Sequence, residues 1–166
     1  MAELSVLQYP DPRLRKKAVA VTKFDAKLAK LATDMFETMY VQEGIGLAAT
    51  QVDQHVQMIV IDVQTQASEP MVLINPSIIE ARGEQISEEG CLSVPEYRAE
   101  VTRAEWVHVT ARDLQGGTLD FEADAMLAVC VQHEMDHLQG VLFVDHLSRI
   151  KQQRYQKRLA KLRRAG

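Results

Sequence analysis

The sequence predicts an α+β fold in which mainly antiparallel β-sheets surround a central helix, with one helix before the sheets and a helical tail after them. Three observations lead to this prediction: an amphipathic stretch near the N-terminus, Val- and Ile-rich segments through the middle, and two helical stretches towards the C-terminus. A chain of 166 residues is long enough to form one domain with a buried core.

Residues 24–40 are predicted to form the first helix, because their apolar side chains recur at the spacing that places them on one face. Asp25 is the expected N-cap, and the glycines at 44 and 46 end the pattern. Strands follow, and Pro76 is expected to bend or end the second. Residues 115–117 are expected to turn the last two strands into a hairpin. The strands are predicted at residues 57–63, 71–79, 97–102, 106–113 and 118–122.

Two further helices are predicted in the last third of the chain. Asp124 is the expected N-cap of residues 125–139, and Gly140 ends that helix. Residues 147–164 contain no helix breaker, and Ile150, Tyr155, Leu159 and Leu162 are their apolar members. We therefore expect a single domain over residues 1–147 and a basic helical tail over residues 148–166.

The net charge of −4 is unevenly distributed along the chain. The segment from residue 149 to 166 carries eight basic residues and no acid, whereas the remainder carries 11 basic and 23 acidic residues, a net −12. Such a tail favours a polyanion such as RNA, although a solvated helix face is an equal alternative. With no long apolar span and no leader, the chain is expected to be soluble, cytoplasmic and without a membrane partner.

The predicted helix at 125–139 contains the run His133-Glu134-Met135-Asp136-His137. Residues four apart lie on one helix face, so both imidazoles can reach one metal ion. Glu134 lies beside them and can act as a general base on a metal-activated water. The central helix is therefore predicted to bind a metal.

A catalytic site of this kind needs a third protein ligand and one open position. Two common metallopeptidase arrangements fail, because Phe143 stands where a third histidine is needed and no acid follows Asp145. Cys130 is too far along the helix axis to reach the ion, which leaves Cys91 as the preferred ligand. The alternatives that stay open are His55, His108 and His146.

Three segments together resemble the peptide deformylase family: residues 44–51 (GIGLAATQ), 89–93 (EGCLS) and 132–138 (QHEMDHL). The resemblance implies a hydrolase that removes the N-formyl group from the N-terminal methionine of newly synthesised proteins. It also implies one divalent metal ion held by Cys91, His133 and His137. Fe²⁺ is expected by resemblance, and Zn²⁺, Ni²⁺ or Co²⁺ would suit the same ligands.

The resemblance further implies roles around the metal. The Gln51 amide and the Leu92 backbone N–H would stabilise the oxyanion, while Glu134 acts as the base. The backbone near Gly46 would pair with the substrate like an added strand. The remaining residues expected to contact substrate are Ile45, Gly90, Arg98, Val129 and Cys130.

Ser87 departs from the sequence pattern of this family, because relatives often carry a larger apolar residue there. The resemblance implies an apolar pocket for the methionine side chain of the substrate, and Ser87 puts the width of that pocket in question. Similar enzymes dock on ribosomes through a C-terminal helix, so the basic tail is expected to bind the ribosome. Two competing hypotheses are an HExxH metallopeptidase and a non-catalytic, metal-stabilised nucleic-acid-binding module.

Overall fold

The computed structural model of the chain describes residues 2–65 and 69–165. Within them lie three α-helices, namely α1 (Ala26–Val41), α2 (Ala125–Leu138) and α3 (Arg149–Ala165). The strands are β1 (Gly46–Ala48), β2 (Met58–Ile61), β3 (Met71–Arg82), β4 (Gln85–Cys91), β5 (Val94–Arg103), β6 (Trp106–Arg112) and β7 (Thr118–Asp124). The predicted α+β class with antiparallel sheets is confirmed.

The strands form two separate antiparallel sheets. One has five strands in the order β1-β2-β3-β6-β7, and the other is the pair β4-β5. The predicted hairpin joins β6 to β7, with Trp106 opposite Asp124 and Arg112 opposite Thr118. In its turn, Gly116 has a φ of 83°, a conformation that favours glycine.

The prediction for β3 was wrong at its end, which lies at Arg82 rather than at residue 79. The strand β3 continues through Pro76 to Arg82, because its pairing with β6 shifts register between Ile74 and Ser77. A proline is tolerated at such an irregularity, where its missing N–H breaks no regular ladder bond. The strands β1 and β4 were not predicted. The first has three residues, and the sequence of β4 is mostly polar, so neither has a clear apolar alternation.

The helix α2 lies at the centre of the fold. Its apolar side chains pack on the five-stranded sheet in one buried cluster, in which Cys130 and Val131 lie with Ile59, Ile61 and Val107. Burial of these groups holds the helix in place. The other buried side of α2 carries polar residues and faces the β4-β5 sheet.

The two predicted N-caps have different outcomes. The Asp25 side chain accepts a hydrogen bond from the Leu28 N–H at 3.1 Å, as expected. The Asp124 side chain makes no capping bond, so that prediction was wrong. The next residue, Ala125, has a φ of 47°, so the chain turns sharply between Asp124 and the rest of α2. This turn accounts for the missing bond from the Asp124 side chain to the N–H groups of the first turn.

The helix α3 is held to the body by two buried side chains. Tyr155 and Leu159 join an apolar cluster with Leu14, Val94 and Phe143. By contrast, Ile150 is 63% exposed. None of the helices within residues 2–65 and 69–165 is long and apolar enough to cross a membrane.

Candidate metal centre

Three side chains from two elements converge beside α2. The ligand atoms of Cys91, His133 and His137 all lie within 4.8 Å of one another. The Cys91 Sγ lies 3.3 Å from the His137 Nε2. One turn of α2 supplies both histidines, and the end of β4 brings the thiol to them. A thiol and two imidazoles in this arrangement fit a transition-metal ion.

The alternative ligands lie elsewhere. The ring nitrogens of His55, His108 and His146 hydrogen-bond to Asp53, Asp120 and Asp136. The Cys130 Sγ lies 3.7 Å from the Ile45 carbonyl oxygen. Burial, with the nearby Glu134, raises the pKa of the Cys130 thiol well above its ordinary value. This thiol therefore stays protonated and serves as an apolar wall.

A buried ionic network holds one of the two imidazoles. The Glu89 Oε1 lies 2.8 Å from the His133 Nδ1, which leaves Nε2 to face the cluster. Arg103 donates to both oxygens of Glu89, each at 2.8 Å. It also donates to Asp136 at 2.7 Å. Burial alone would raise the pKa of Glu89, but hydrogen bonds from Arg103 and His133 outweigh it and lower the pKa to about 2.

This network was missed from the sequence. The partnership of Arg103 with Glu89 and Asp136 was not predicted. The available signal was the position of Glu89 two residues before the thiol ligand candidate. Nothing in the sequence points to Arg103, because it lies in a different strand.

Glu134 is a buried acid without a partner on one oxygen. Its Oε1 has no hydrogen-bond partner among the described residues, although the side chain is buried. Burial raises its pKa to about 7 despite the opposing charges of His133 and Arg103. A carboxylate with this pKa can both take and return a proton near neutrality. The Glu134 side chain also lines the adjoining cavity.

Gly46 lies directly against this acid. A Cβ at Gly46 would come within 2.6 Å of the Glu134 Oε2 and 2.8 Å of the Cys130 Sγ. Only glycine fits without a shift of these groups. The backbone of β1 therefore packs directly against the Glu134 carboxyl group.

Gln51 lies buried next to the thiol. Its Oε1 accepts from the Ala48 N–H at 2.9 Å, which fixes the orientation of the amide. Its Nε2 then faces the Ser93 Oγ at 3.0 Å and the Cys91 Sγ at 3.5 Å. The amide N–H is thus directed towards the cluster before any ligand arrives.

A cavity of about 640 Å³ opens onto these groups. One face of α2 lines it, and so do Ser87 and Leu92. The lining residues of that face follow the i, i+3, i+4, i+7 spacing: Met126, Val129, Cys130 and His133. At its outer wall Arg98 pairs with Glu88 at 3.1 Å. A Cβ on Gly90 would come within 2.9 Å of the Arg98 guanidinium. Among the lining residues are all six of the predicted substrate contacts: Ile45, Gly46, Gly90, Arg98, Val129 and Cys130.

Comparison with known proteins agrees with this geometry. The family model for polypeptide deformylase matches residues 3–153. The peptide deformylase of Tolumonas auensis is 56% identical over 164 residues, covering 99% of this chain and 98% of the relative. These matches extend over the cavity, the central helix and part of α3.

Solved structures give the same result. A peptide deformylase from Legionella pneumophila superposes with a TM-score of 0.93 at 44% identity, covering 99% of this chain and 97% of the other. A class I type b peptide deformylase from Acinetobacter baumannii, solved with Met-Ala-Ser bound, has a TM-score of 0.85 at 34% identity. It covers 88% of this chain and 99% of the other.

These findings leave no support for a metallopeptidase or for a non-catalytic nucleic-acid-binding module. The sequence match, the fold and the Cys-His-His cluster agree on a single assignment. The chain belongs to the peptide deformylase family, the metal-dependent hydrolases that remove the N-formyl group from newly made polypeptides.

Proposed function

We propose that this deformylase holds one divalent metal ion with Cys91, His133 and His137 and uses Glu134 as its general acid and base. The observation that carries the proposal is the convergence of three ligand atoms beside a buried acid with one unpaired oxygen. We infer further that Gln51 and the Leu92 backbone N–H stabilise the transition state.

The donor set supports a soft or borderline metal. One thiolate and two imidazoles suit Fe²⁺, Zn²⁺, Co²⁺ and Ni²⁺. Burial lowers the pKa of His137 well below its ordinary value, so its ring is neutral and has a lone pair to give. When bound, such a metal polarises the formyl oxygen and lowers the pKa of water. We favour Fe²⁺ in the cell because of the family resemblance.

Glu134 moves the protons. It takes one from the attacking water as oxygen bonds to the formyl carbon. It then gives that proton to the amine nitrogen as the carbon–nitrogen bond breaks, which releases formate and a free methionyl N-terminus. A pKa of about 7 suits both steps, because the group is neither a strong acid nor a strong base at neutral pH.

Two N–H groups supply charge stabilisation. Negative charge develops on the formyl oxygen as the carbonyl carbon becomes tetrahedral. The Gln51 amide is held by the Ala48 N–H and by Ser93, so it need not reorganise during the reaction. Leu92 lines the cavity, and its N–H belongs to the residue that directly follows Cys91.

The cavity walls suit a formyl-methionyl peptide. The backbone around Gly46 can pair with the extended substrate chain, since β1 is the edge strand of its sheet. Ile45, Val129 and Cys130 offer apolar surface to the methionine side chain, while Gly90 and Arg98 border the channel. The bound Met-Ala-Ser of the Acinetobacter baumannii relative supports a cavity of this size for a short peptide.

Formate release tests the proposal directly. The metal-loaded protein should release formate from formyl-Met-Ala-Ser and leave the peptide bonds intact. Metal-loaded protein that releases no formate, or that cleaves the internal bonds instead, would overturn it. Purification without oxygen followed by metal analysis tests the preference for iron: iron should dominate, and activity should decay in air more quickly than after zinc loading.

We also propose that the basic tail, which the sequence separates from a catalytic domain at residue 147, binds ribosomal RNA. All eight of its Lys and Arg residues are exposed on α3. Contacts of this kind release counterions and weaken as salt rises. Nothing in this contact requires α3 to leave the body of the protein.

Charge removal is a cleaner test than truncation, because deletion of α3 would also remove the buried Tyr155 and Leu159. The triple change Lys157→Gln, Arg158→Gln and Lys161→Gln should abolish co-sedimentation with ribosomes at low salt while sparing formyl-Met-Ala-Ser turnover. The matched control changes three exposed lysines of the body to Gln: Lys16, Lys17 and Lys27. Equal co-sedimentation of the two variants would end this proposal.

A further inference from the structure

The buried face of α3 contacts the wall of the active-site cavity. Tyr155 is only 2% exposed, and its ring stacks on that of Tyr97 with centroids 4.5 Å apart and planes at 29°. Tyr97 lies on β5 and is one of the residues that line the cavity. A residue of the basic tail therefore supports a side chain that lines the substrate cavity.

Further contacts hold Tyr155 in this position. Its hydroxyl donates to the Pro95 carbonyl at 3.4 Å, two residues before Tyr97 on the same strand. On its other side lies Tyr9, at 5.6 Å between centroids. Arg163 of α3 donates to the Tyr9 carbonyl at 3.2 Å. The stacked pair is thus enclosed between α3 and the N-terminal segment.

The ring contacts continue inwards. Tyr97 stacks on Phe143 with centroids 6.2 Å apart, and Phe143 stacks on the His133 imidazole at 6.0 Å. The inner end of this aromatic column is fixed separately, because Glu89 holds the His133 Nδ1. The Tyr97 side chain makes no hydrogen bond to any residue that the structure describes, so its position depends on its stacking partners.

We propose that Tyr155 is a positioning residue for substrate binding: it holds Tyr97 in the cavity wall, so that the basic helix helps to set the affinity of the site for formyl-peptides. The inference rests on the proposed substrate cavity. Tyr97 does not belong to the reacting groups, which other elements hold. Loss of the stack should therefore change KM and leave kcat and metal content unchanged.

The decisive variant is Tyr155→Leu, which keeps an apolar filling but removes the ring. We expect its KM for formyl-Met-Ala-Ser to rise about three- to tenfold, the range that corresponds to the loss of one aromatic pair. Tyr155→Phe should restore the wild-type KM, since the ring is retained. The matched control is Leu159→Ala on the same buried face, which should lower the melting temperature without changing KM.

A double-mutant cycle identifies the route of the effect. If Tyr155 acts through Tyr97, the variant that combines Tyr97→Leu with Tyr155→Leu should have the KM of Tyr97→Leu alone. Additive KM effects would overturn the inference, and so would an unchanged KM in Tyr155→Leu or an equal rise in Leu159→Ala. Wild-type formate release is measured in parallel, so a failure of the proposed activity is recognised separately.

Discussion

The helices α2 and α3 lie on opposite sides of the Tyr97 and Phe143 rings, and they differ in whether their ionisable side chains are buried. In α2, His133, Glu134 and His137 are each less than a tenth exposed. In α3, every charged side chain is exposed and only Tyr155 and Leu159 are buried. The contrast indicates which helix can perform chemistry and which can only make contacts.

Burial sets the pKa of the acid on α2. Removal from water raises the pKa of Glu134 to about 7, a value that an exposed glutamate would not have. Burial of charged groups beside α2 is costly. In the Glu89–Arg103–Asp136 network, charge-assisted hydrogen bonds offset that cost for the charges of the network. The charged side chains of α3 are exposed, so they incur no such cost.

Replacement of Glu134 tests the α2 side of the contrast most severely. Glu134→Gln keeps the shape of the side chain but cannot accept the proton, so kcat should fall about 10²- to 10⁴-fold. Bound metal, measured by elemental analysis, should stay at the wild-type level. The exposed Glu122→Gln on β7 is the charge-matched control and should keep full activity. Normal turnover in Glu134→Gln would remove this residue from the mechanism.

Loss of Arg103 tests whether the network offsets the cost of burial. Arg103→Met leaves Glu89 buried without its principal partner, so the free energy of unfolding should fall by about 3–5 kcal/mol. Denaturant titration at pH 7 measures this. The exposed Arg112→Met should change the same quantity by less than about 1 kcal/mol. Similar losses of unfolding free energy in both variants would mean that the buried ion pair stabilises the protein no more than an exposed arginine does.

Acid should act on the same network. The pKa of Glu89 is lowered in the folded protein to about 2 from an ordinary 4.5, so its contribution to stability is fully present above pH 4.5 and is lost as pH falls towards 2. In metal-free protein, Glu89→Gln should lose less stability than wild type over this interval. The comparison is made by thermal unfolding at a series of pH values. Parallel curves would contradict the assignment.

The start of α2 should give the smallest effect. Ala125 has a φ of 47°, where a Cβ is disfavoured, so Ala125→Gly should be neutral or stabilise the protein by up to about 1 kcal/mol. Ala128→Gly, in the regular interior of the same helix, should destabilise it by about 1 kcal/mol or more. Chemical denaturation of the two variants measures this. If Ala125→Gly loses as much free energy of unfolding as Ala128→Gly, the backbone at Ala125 is not strained.

The sequence predicted the features that depend on short spacing. The cap at Asp25, the hairpin from β6 to β7 and the two histidines of α2 all follow from residues that lie within a few positions of one another. The cysteine of the Cys-His-His cluster could be predicted because the chain contains few other candidates for a third metal ligand. Local pattern was therefore enough to identify the family and the fold class.

Contacts between distant segments were not predictable in this way. Arg103 meets Glu89 and Asp136, which lie 14 and 33 residues away in the chain. The stacking of Tyr155 on Tyr97 depends on how α3 lies across β5, and nothing in either segment specifies it. The register shift between β3 and β6 around Pro76 likewise depends on a distant strand.

X-ray absorption at the edge of the bound metal tests the central claim most directly. In the zinc-loaded protein we expect one sulfur at about 2.3 Å and two imidazole nitrogens at about 2.0–2.1 Å from the metal, with the sulfur lost in Cys91→Ser and kept in Cys130→Ser. A wild-type spectrum without sulfur, or a sulfur signal that persists in Cys91→Ser, would contradict the proposed site.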